Sequence, residues 1–476
     1  MPIRFGTDGW RGVIADDFTF ANVRRVAAAA DRAFRERGDR PDPGRPVVVG
    51  YDTRFLSRAF AQAAAGVLAA AGRRVLLSGA PCPTPAVSCQ VVERRSPFGV
   101  VLTASHNPAS FNGFKIKDGF GSSAGGDVTA ACERHLEDGD PECLAPGEAA
   151  RRGLLEEGSF EEAHAARLGA MVDLASIRAA GLRVVVDPMH GSSGRLLERL
   201  LAGGATRVAT LRAEADPLFG GCHPEPLERN LDGLRDAIAS WSADAGLATD
   251  GDGDRIGAFD ETGRFVSPLR IAPLLAWSLI KKGRRGPLGK TFANTILLDR
   301  IARRYGLPFT AFPVGFKHIA RELQQGRMLL GGEESGGIGV EGYLPERDGA
   351  MVSLLLLQAM VDEGKPLSRL VSELTASFGE LEYARRDLEL PPERGRALVD
   401  RLRASPPASL GGMTVTGQDD LDGLKLLFGE EGWILFRASG TEPVLRVYCE
   451  VPGVDAAARV MSEAVRLVAG PADLRS

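Results

Sequence analysis

A chain of 476 residues is too long for one ordinary core and calls for about three or four domains. With 44% hydrophobic and 25% charged residues it reads as globular, and a net charge of −4 offers nucleic acid no basic footprint. Six scattered cysteines without a CxxC pair argue against a disulfide framework or zinc site. Met-Pro-Ile-Arg does not open a signal peptide, and the longest strongly apolar stretch, Met351 to Val361, is too short to span a bilayer. The expected compartment is the cytoplasm, with no membrane partner.

The first segment, 1–150, alternates helix and strand signals. Helices are expected over Phe20–Arg35, Phe60–Ala71 and Pro85–Val92. Strands are expected over Pro46–Gly50, Arg74–Leu77 and Ser96–Thr103, the pattern of parallel βα units. Gly139 to Gly158 reads as a linker. In the second segment, 151–257, Ser159 and Glu162 have the spacing of a capping box for a helix reaching about Met171. A strand over Leu182–Val186 then runs into Asp187-Pro-Met-His-Gly, much as Val47–Val49 runs into Tyr51-Asp52, which suggests a repeated unit. The third segment, 258–372, repeats the pattern with a helix at Leu269–Ile280, a strand at Thr291–Asn294, a helix near Asp299–Tyr305 and a loop at Val314–His318. Lys281-Lys282-Gly283-Arg284-Arg285 reads as a helix end rather than a binding patch. The fourth segment, 373–476, has close-spaced strand candidates at Met413–Val415, Leu424–Leu427, Trp433–Arg437 and Val444–Glu450, an α+β pattern.

Four loops that follow strands carry the chemistry, and in open α/β sheets ligands bind beyond the carboxyl ends of strands. Thr103-Ala-Ser-His-Asn-Pro presents Ser105, a hydroxyl that needs a base, a metal or fixed dipoles to become a nucleophile. His106 and Lys115 are near enough in sequence to assist. Alone, this run is equally an ordinary Ser/Asn/Pro turn. Asp250-Gly-Asp-Gly-Asp-Arg places Asp250, Asp252 and Asp254 on alternate residues, with glycines that let the loop curl until the carboxylates converge on Mg²⁺ or Ca²⁺. An EF-hand fits Glu261 at the twelfth position but fails at Arg255, where that loop requires glycine. A solvated acidic turn is the bland alternative. Gly332-Glu-Glu-Ser-Gly-Gly offers Glu333 and Ser335 on alternate residues of an extended segment, suited to vicinal hydroxyls or to nothing beyond a glycine-rich turn. Arg437-Ala-Ser-Gly-Thr-Glu-Pro offers Arg437, Ser439, Gly440 and Thr441, a phosphate-binding inventory that a hairpin turn could also explain.

Together with Phe5-Gly-Thr-Asp-Gly-Trp-Arg-Gly12 and Asn112-Gly-Phe-Lys-Ile116, these runs resemble the α-D-phosphohexomutases in order and spacing over essentially the whole chain. The resemblance implies an α/β fold: three related mixed-sheet α/β domains plus a C-terminal α+β domain around a central cleft. It implies that Ser105 carries the phosphoryl group and joins Asp250, Asp252 and Asp254 in the Mg²⁺ site. Arg11, His106, Lys115 and Arg255 then surround the reacting phosphate, with Lys115 as general acid/base. Glu333 and Ser335 would grip sugar hydroxyls, and Arg437, Ser439, Gly440 and Thr441 the other phosphate. The implied reaction interconverts glucose 1-phosphate and glucose 6-phosphate, with mannose phosphates also accepted, through glucose 1,6-bisphosphate, which is both intermediate and activator.

The individual sugar is harder to read. Phosphoglucosamine mutases usually carry isoleucine in place of Trp10 and Gln-Ser-Gly-His over 334–337; bacterial phosphomannomutase/phosphoglucomutases often show Met-Ser-Gly-His there. The Glu334-Ser-Gly-Gly337 of this chain is closer to phosphoglucomutases, though without the phenylalanine usual in those. Glucose, mannose and glucosamine differ at C2, so residues near C2, Lys317 and His318 among them, are expected to decide. Phosphoglucosamine mutase, phosphomannomutase and a metal-dependent sugar phosphatase are the competing activities. The family contains monomers and homodimers.

Overall fold

The computed structural model of the chain describes residues 3–439 and 443–469. They divide into two compact units, the first of residues 1–286 and 315–370, the second of 287–314 and 371–476.

The first unit opens with a six-stranded mixed sheet. Its order is Trp10–Val13, Phe111–Asp118, Phe98–Leu102, Val47–Tyr51, Val75–Ser78 and Leu155–Gly158. Val47–Tyr51 runs parallel to both Val75–Ser78 and Phe98–Leu102 and is buried throughout, as a parallel strand covered on both faces must be. The helix Phe20–Glu36 starts where the Thr19 side chain accepts from the Asn22 amide. It buries Val23, Val26, Ala27, Ala30 and Phe34 at helical spacing, and the Phe34 ring stacks on Phe98 with centroids 4.3 Å apart. The stretch expected as a linker is not one. It holds a helix, Pro146–Arg151, and the strand Leu155–Gly158, which pairs parallel with Val75–Ser78. Glu156 and Glu157 disguised this strand, because charge is what an edge strand carries. The capping box also fails. The next helix is Glu161–Gly169, preceded by Phe160 with no side-chain cap, and buried Phe160 anchors the entry instead.

A second mixed sheet orders Phe265–Val266, Ile256–Asp260, Ala245–Thr249, Arg183–Asp187 and Arg207–Thr210. The same unit contains the helix Pro268–Lys281, the hairpin Leu330–Gly332 with Ile338–Val340, and the helix Gly349–Glu363. That last helix is buried on nearly every side, which explains its run of Met, Val and Leu. Lys281 and Lys282 at the end of Pro268–Lys281 pair with Glu363 and Asp362. The residues Val314–His318 are not wholly loop: a helix begins at Lys317 and continues to Gln324.

In the second unit Leu288–Thr291 pairs parallel with Phe309–Phe312. The strand therefore ends where it was expected to begin, and Asn294 donates back to Thr291 in the turn that follows. A five-stranded antiparallel sheet orders Glu382–Glu389, Val444–Val451, Trp433–Ala438, Leu424–Leu427 and Gly417–Asp419, with the helices Pro392–Ala404 and Val454–Ala469 packed on it. Glu382–Glu389 was not expected as a strand because five of its eight residues are charged, and it lies at the sheet edge. Lys425 is buried here with its ammonium 4.0 Å from the Phe292 ring and 4.3 Å from that of Trp433. All six cysteines are free thiols. Among the described residues no helix is long and apolar enough to cross a membrane.

Candidate active site

Ser105 and the aspartate loop come from neighbouring strand ends of the first unit, one after Phe98–Leu102 and the other after Ala245–Thr249. Ser105 adopts a left-handed φ of 53°, uncommon for a residue with a side chain, and its amide is held by the Thr103 hydroxyl at 2.9 Å. Its Oγ donates to Asp250 Oδ2 at 2.7 Å, and His106 Nδ1 lies 3.4 Å away. Both loops approach so closely that a Cβ on Gly251 would sit 2.7 Å from the Ser105 carbonyl oxygen. Only glycine fits there.

The aspartate loop is curled by its own first residue. Asp250 Oδ1 accepts from the amides of Asp254 at 2.9 Å and Arg255 at 3.1 Å, and the Thr84 hydroxyl donates to Asp252 Oδ2 at 2.6 Å. All three carboxylates are buried, with one oxygen of each within 4.8 Å of the others. The loop is thus neither a solvated turn nor an EF-hand, which flanks its loop with helices where strands stand here. Burial, followed by the charges of Asp254 and Asp252, pushes the Asp250 carboxyl well above the usual carboxylate range. Asp252 Oδ1 and Asp254 Oδ1 are buried without a hydrogen-bond donor. Unfilled anionic oxygens converging on one point fit a hard divalent cation, which would offset that repulsion.

Lys115 lies on the Phe111–Asp118 strand with its ammonium 2.8 Å from Asp252, 2.9 Å from Asp8 and 3.1 Å from Asp254. Despite complete burial, these carboxylates hold it charged, above the ordinary lysine range. His106 is the reverse case. Burial and then the cations Arg255, Arg11, Lys115 and Arg54 press it well below its usual value, so it stays neutral and resists protonation. Arg11 donates to Asn107 at 2.6 Å, and Arg255 lies 3.3 Å from Glu225 and 4.0 Å from Asp254.

Sequence reasoning missed the residue that joins these groups. Arg347 contacts Asp8 at 2.6 Å, Asp254 at 2.8 Å and Glu333 at 3.2 Å. It stands just before the largely apolar helix Gly349–Glu363, outside the four loops singled out in the sequence. Asp8, within the Phe5–Gly12 run, had been given no role. Neighbouring Lys117 and Glu346 form a buried pair of their own.

Glu333 is buried and Ser335 half-buried, but the loop is not extended. The Glu333 amide donates to Gly337 O at 2.8 Å and the Gly336 amide to Glu333 O at 3.3 Å, closing a hairpin turn. Burial pushes the Glu333 carboxyl up to about 7 against the pull of Arg347. Lys317 and His318 are half-buried on the first turn of their helix, next to Phe316, whose ring lies 5.5 Å from the Arg347 guanidinium. Trp10 cannot read a sugar directly: it is buried in the sheet core, stacked on Phe18 at 4.7 Å. In the second unit Arg437 Nε lies 3.0 Å from Asp422, and the Ser439 amide donates to Val444 O. Gly440 and Thr441 lie outside the described residues.

A hydroxyl set against converging carboxylates and ringed by cations suits phosphoryl-transfer enzymes as a class. Family models described as phosphoglucomutase/phosphomannomutase match the chain four times: α/β/α domain I at 2–142, domain II at 162–263, domain III at 268–378 and the C-terminal domain at 413–467. A phosphoglucomutase/phosphomannomutase of Thermococcus kodakarensis is 30% identical over 465 residues, covering 98% of each chain. A phosphoglucosamine mutase of a Parafrankia species is 33% identical over 476 residues, 95% of this chain and 96% of its own. A provisionally named phosphomannomutase of Thermus thermophilus shares the fold with a TM-score of 0.87 at 38% identity, over 99% of this chain and 100% of that one. The chain belongs to the phosphoglucomutase/phosphomannomutase family, whose members are isomerases that move a phosphoryl group within a hexose phosphate.

Proposed function

We propose that this enzyme interconverts glucose 1-phosphate and glucose 6-phosphate through phosphorylated Ser105, and that mannose phosphates are accepted more weakly. The observation that carries the reaction is the Ser105 hydroxyl 2.7 Å from Asp250 within the buried aspartate cluster. Asp250, Asp252, Asp254 and phospho-Ser105 would hold Mg²⁺, which supplies positive charge beside the oxygens of the phosphoryl group in transfer. In the forward half-reaction the sugar hydroxyl attacks the phosphorus of phospho-Ser105. Its proton passes to a base, and the seryl oxygen leaves. Lys115, charged and fixed by three carboxylates, serves as counter-charge and as the acid that protonates the seryl oxygen, which frees it to act as the base for the sugar proton. Neutral His106 lies 3.4 Å from the serine oxygen. Arg11 and Arg255 flank the transferring group. The resulting glucose 1,6-bisphosphate reorients, and Ser105 recovers the other phosphoryl group. Glu333 and Ser335 take the sugar hydroxyls, with Lys317 and His318 towards C2, and the 437–441 loop takes the phosphate that does not react. Domain limits at 1–150, 151–257, 258–372 and 373–476 complete this reading.

The preference for glucose is supported by the Glu334-Ser-Gly-Gly337 run, which is closer to phosphoglucomutases. Where phosphoglucosamine mutases and bacterial phosphomannomutase/phosphoglucomutases have histidine, a Cβ here would collide with the Arg347 side chain. A second reading, phosphoglucosamine mutase, is favoured by the names of several relatives at 31–33% identity. Initial rates on glucose, mannose and glucosamine 1-phosphates, with Mg²⁺ and a trace of the matching bisphosphate, separate the two. The expected result is the highest kcat/KM for glucose 1-phosphate, abolished in Ser105→Ala; a glucosamine preference would overturn the sugar but keep the mechanism.

A further inference from the structure

Phosphoryl transfer from a serine demands that its oxygen, the phosphorus and the acceptor stay in line, yet Ser105 sits in a loop with a left-handed backbone. Something must hold that conformation, and beside the Thr103 hydroxyl on the Ser105 amide the structure places one buried guanidinium against the loop. We propose that Arg54 is the positioning residue for Ser105: its guanidinium gathers the carbonyl oxygens of the serine loop and fixes the hydroxyl for transfer.

Arg54 is fully buried just behind the loop. Its Nη2 donates to Ser105 O at 2.6 Å and Asn107 O at 2.7 Å; its Nη1 donates to Pro108 O at 2.7 Å and Phe111 O at 3.0 Å. Its Nε donates to Asp52 Oδ2 at 3.0 Å. All three nitrogens are thus engaged, three of the five bonds going to the serine loop and a fourth to Phe111, where the next strand begins. Asp52 is itself fixed by the Arg54 amide at 3.0 Å and the Ser57 hydroxyl at 2.8 Å, and Ser57 accepts from Asn112 at 2.9 Å. One face of the guanidinium lies 4.9 Å from the Phe219 ring, and that same ring lies 3.4 Å from where a Cβ on Gly251 would stand. The Phe219 ring therefore packs against both the guanidinium behind the serine loop and the aspartate loop. Arg54 does not touch the Ser105 hydroxyl, so its effect passes through the backbone. A lysine in its place brings a single point of charge and cannot reproduce a planar fork aimed at four carbonyls.

This inference rests on the reading that Ser105 carries the phosphoryl group, and the test keeps the two apart. Wild type, Arg54→Lys, Arg54→Ala and Ser105→Ala are compared for kcat, KM and phosphorylation of Ser105 by glucose 1,6-bisphosphate, with near-ultraviolet circular dichroism as the check on fold. The expected result is folded arginine variants whose kcat falls about 100-fold while KM stays put. Guanidinium ion added to Arg54→Ala should restore part of the lost rate, and methylammonium should not. Wild-type kcat in Arg54→Lys, or a loss not rescued by guanidinium, would overturn the positioning role. If neither arginine variant folds, Arg54 is a general structural residue and the inference also fails. Absence of phosphate on Ser105 in active wild type would instead overturn the proposed function.

Discussion

In the proposed reaction Glu333 is the residue at which protonation and recognition meet. Buried beside Arg347, its carboxyl ionises at about 7, so near neutrality it exchanges between a neutral acid and an acceptor for sugar hydroxyls. Because the ionised form is the one that accepts, kcat/KM for glucose 1-phosphate should rise as pH climbs through about 7, and this limb should vanish in Glu333→Gln. A pH profile in which the variant keeps the limb would assign it to another group. Stability moves the other way. A raised folded pKa favours the protonated form, so this contribution is complete below the ordinary glutamate value of about 4.3 and is lost as pH rises through about 7. At this scale the sequence pointed to residues in strand-following loops, and the structure brings Ser105 and the three aspartates together there. It was opaque at Asp8, Arg54 and Arg347, whose roles arise from partners tens to hundreds of residues away.

Elements place these residues, and the helix Gly349–Glu363 shows how. Asp348 caps it, accepting from the amides of Ala350 and Met351 at 2.9 and 3.1 Å, and is itself held by His164 and Tyr343, each at 2.6 Å. The Gly349 amide donates to Gly253 O at 2.9 Å, inside the aspartate loop, and a Cβ on Gly349 would collide with the Arg255 carbonyl. The helix start thus acts as a floor under the cation site. Gly349→Ala should push that loop and raise the Mg²⁺ concentration for half-maximal activity about tenfold, the scale of a lost support around a metal site. Unchanged Mg²⁺ dependence in a folded variant would show that the floor does not bear on the site. Helices and parallel strands were legible from apolar periodicity. The strands Leu155–Gly158 and Glu382–Glu389 were not, because edge position replaces apolar alternation with charge. The turn at 333–337 was misread as extended because two glycines permit either conformation.

At the scale of the whole molecule, the alternation of βα units foretold the parallel pairings and the change of pattern after about residue 373 an α+β region, while the mixed character of the sheets was implied by the family resemblance, and the four family matches fall in chain order. Trp10 marks the limit of such reading. It differs from the residue usual in phosphoglucosamine mutases, yet its ring is committed to the core, so the difference carries no direct contact with a sugar. The central claim is that the reaction runs through a phosphoryl group on Ser105, and the most direct measurement is intact mass with peptide mapping after incubation with glucose 1,6-bisphosphate and Mg²⁺. The account predicts one phosphate on the peptide containing Ser105, removed by excess glucose 1-phosphate and absent from Ser105→Ala. Turnover with no phosphate on Ser105, or with phosphate on another residue, would contradict it.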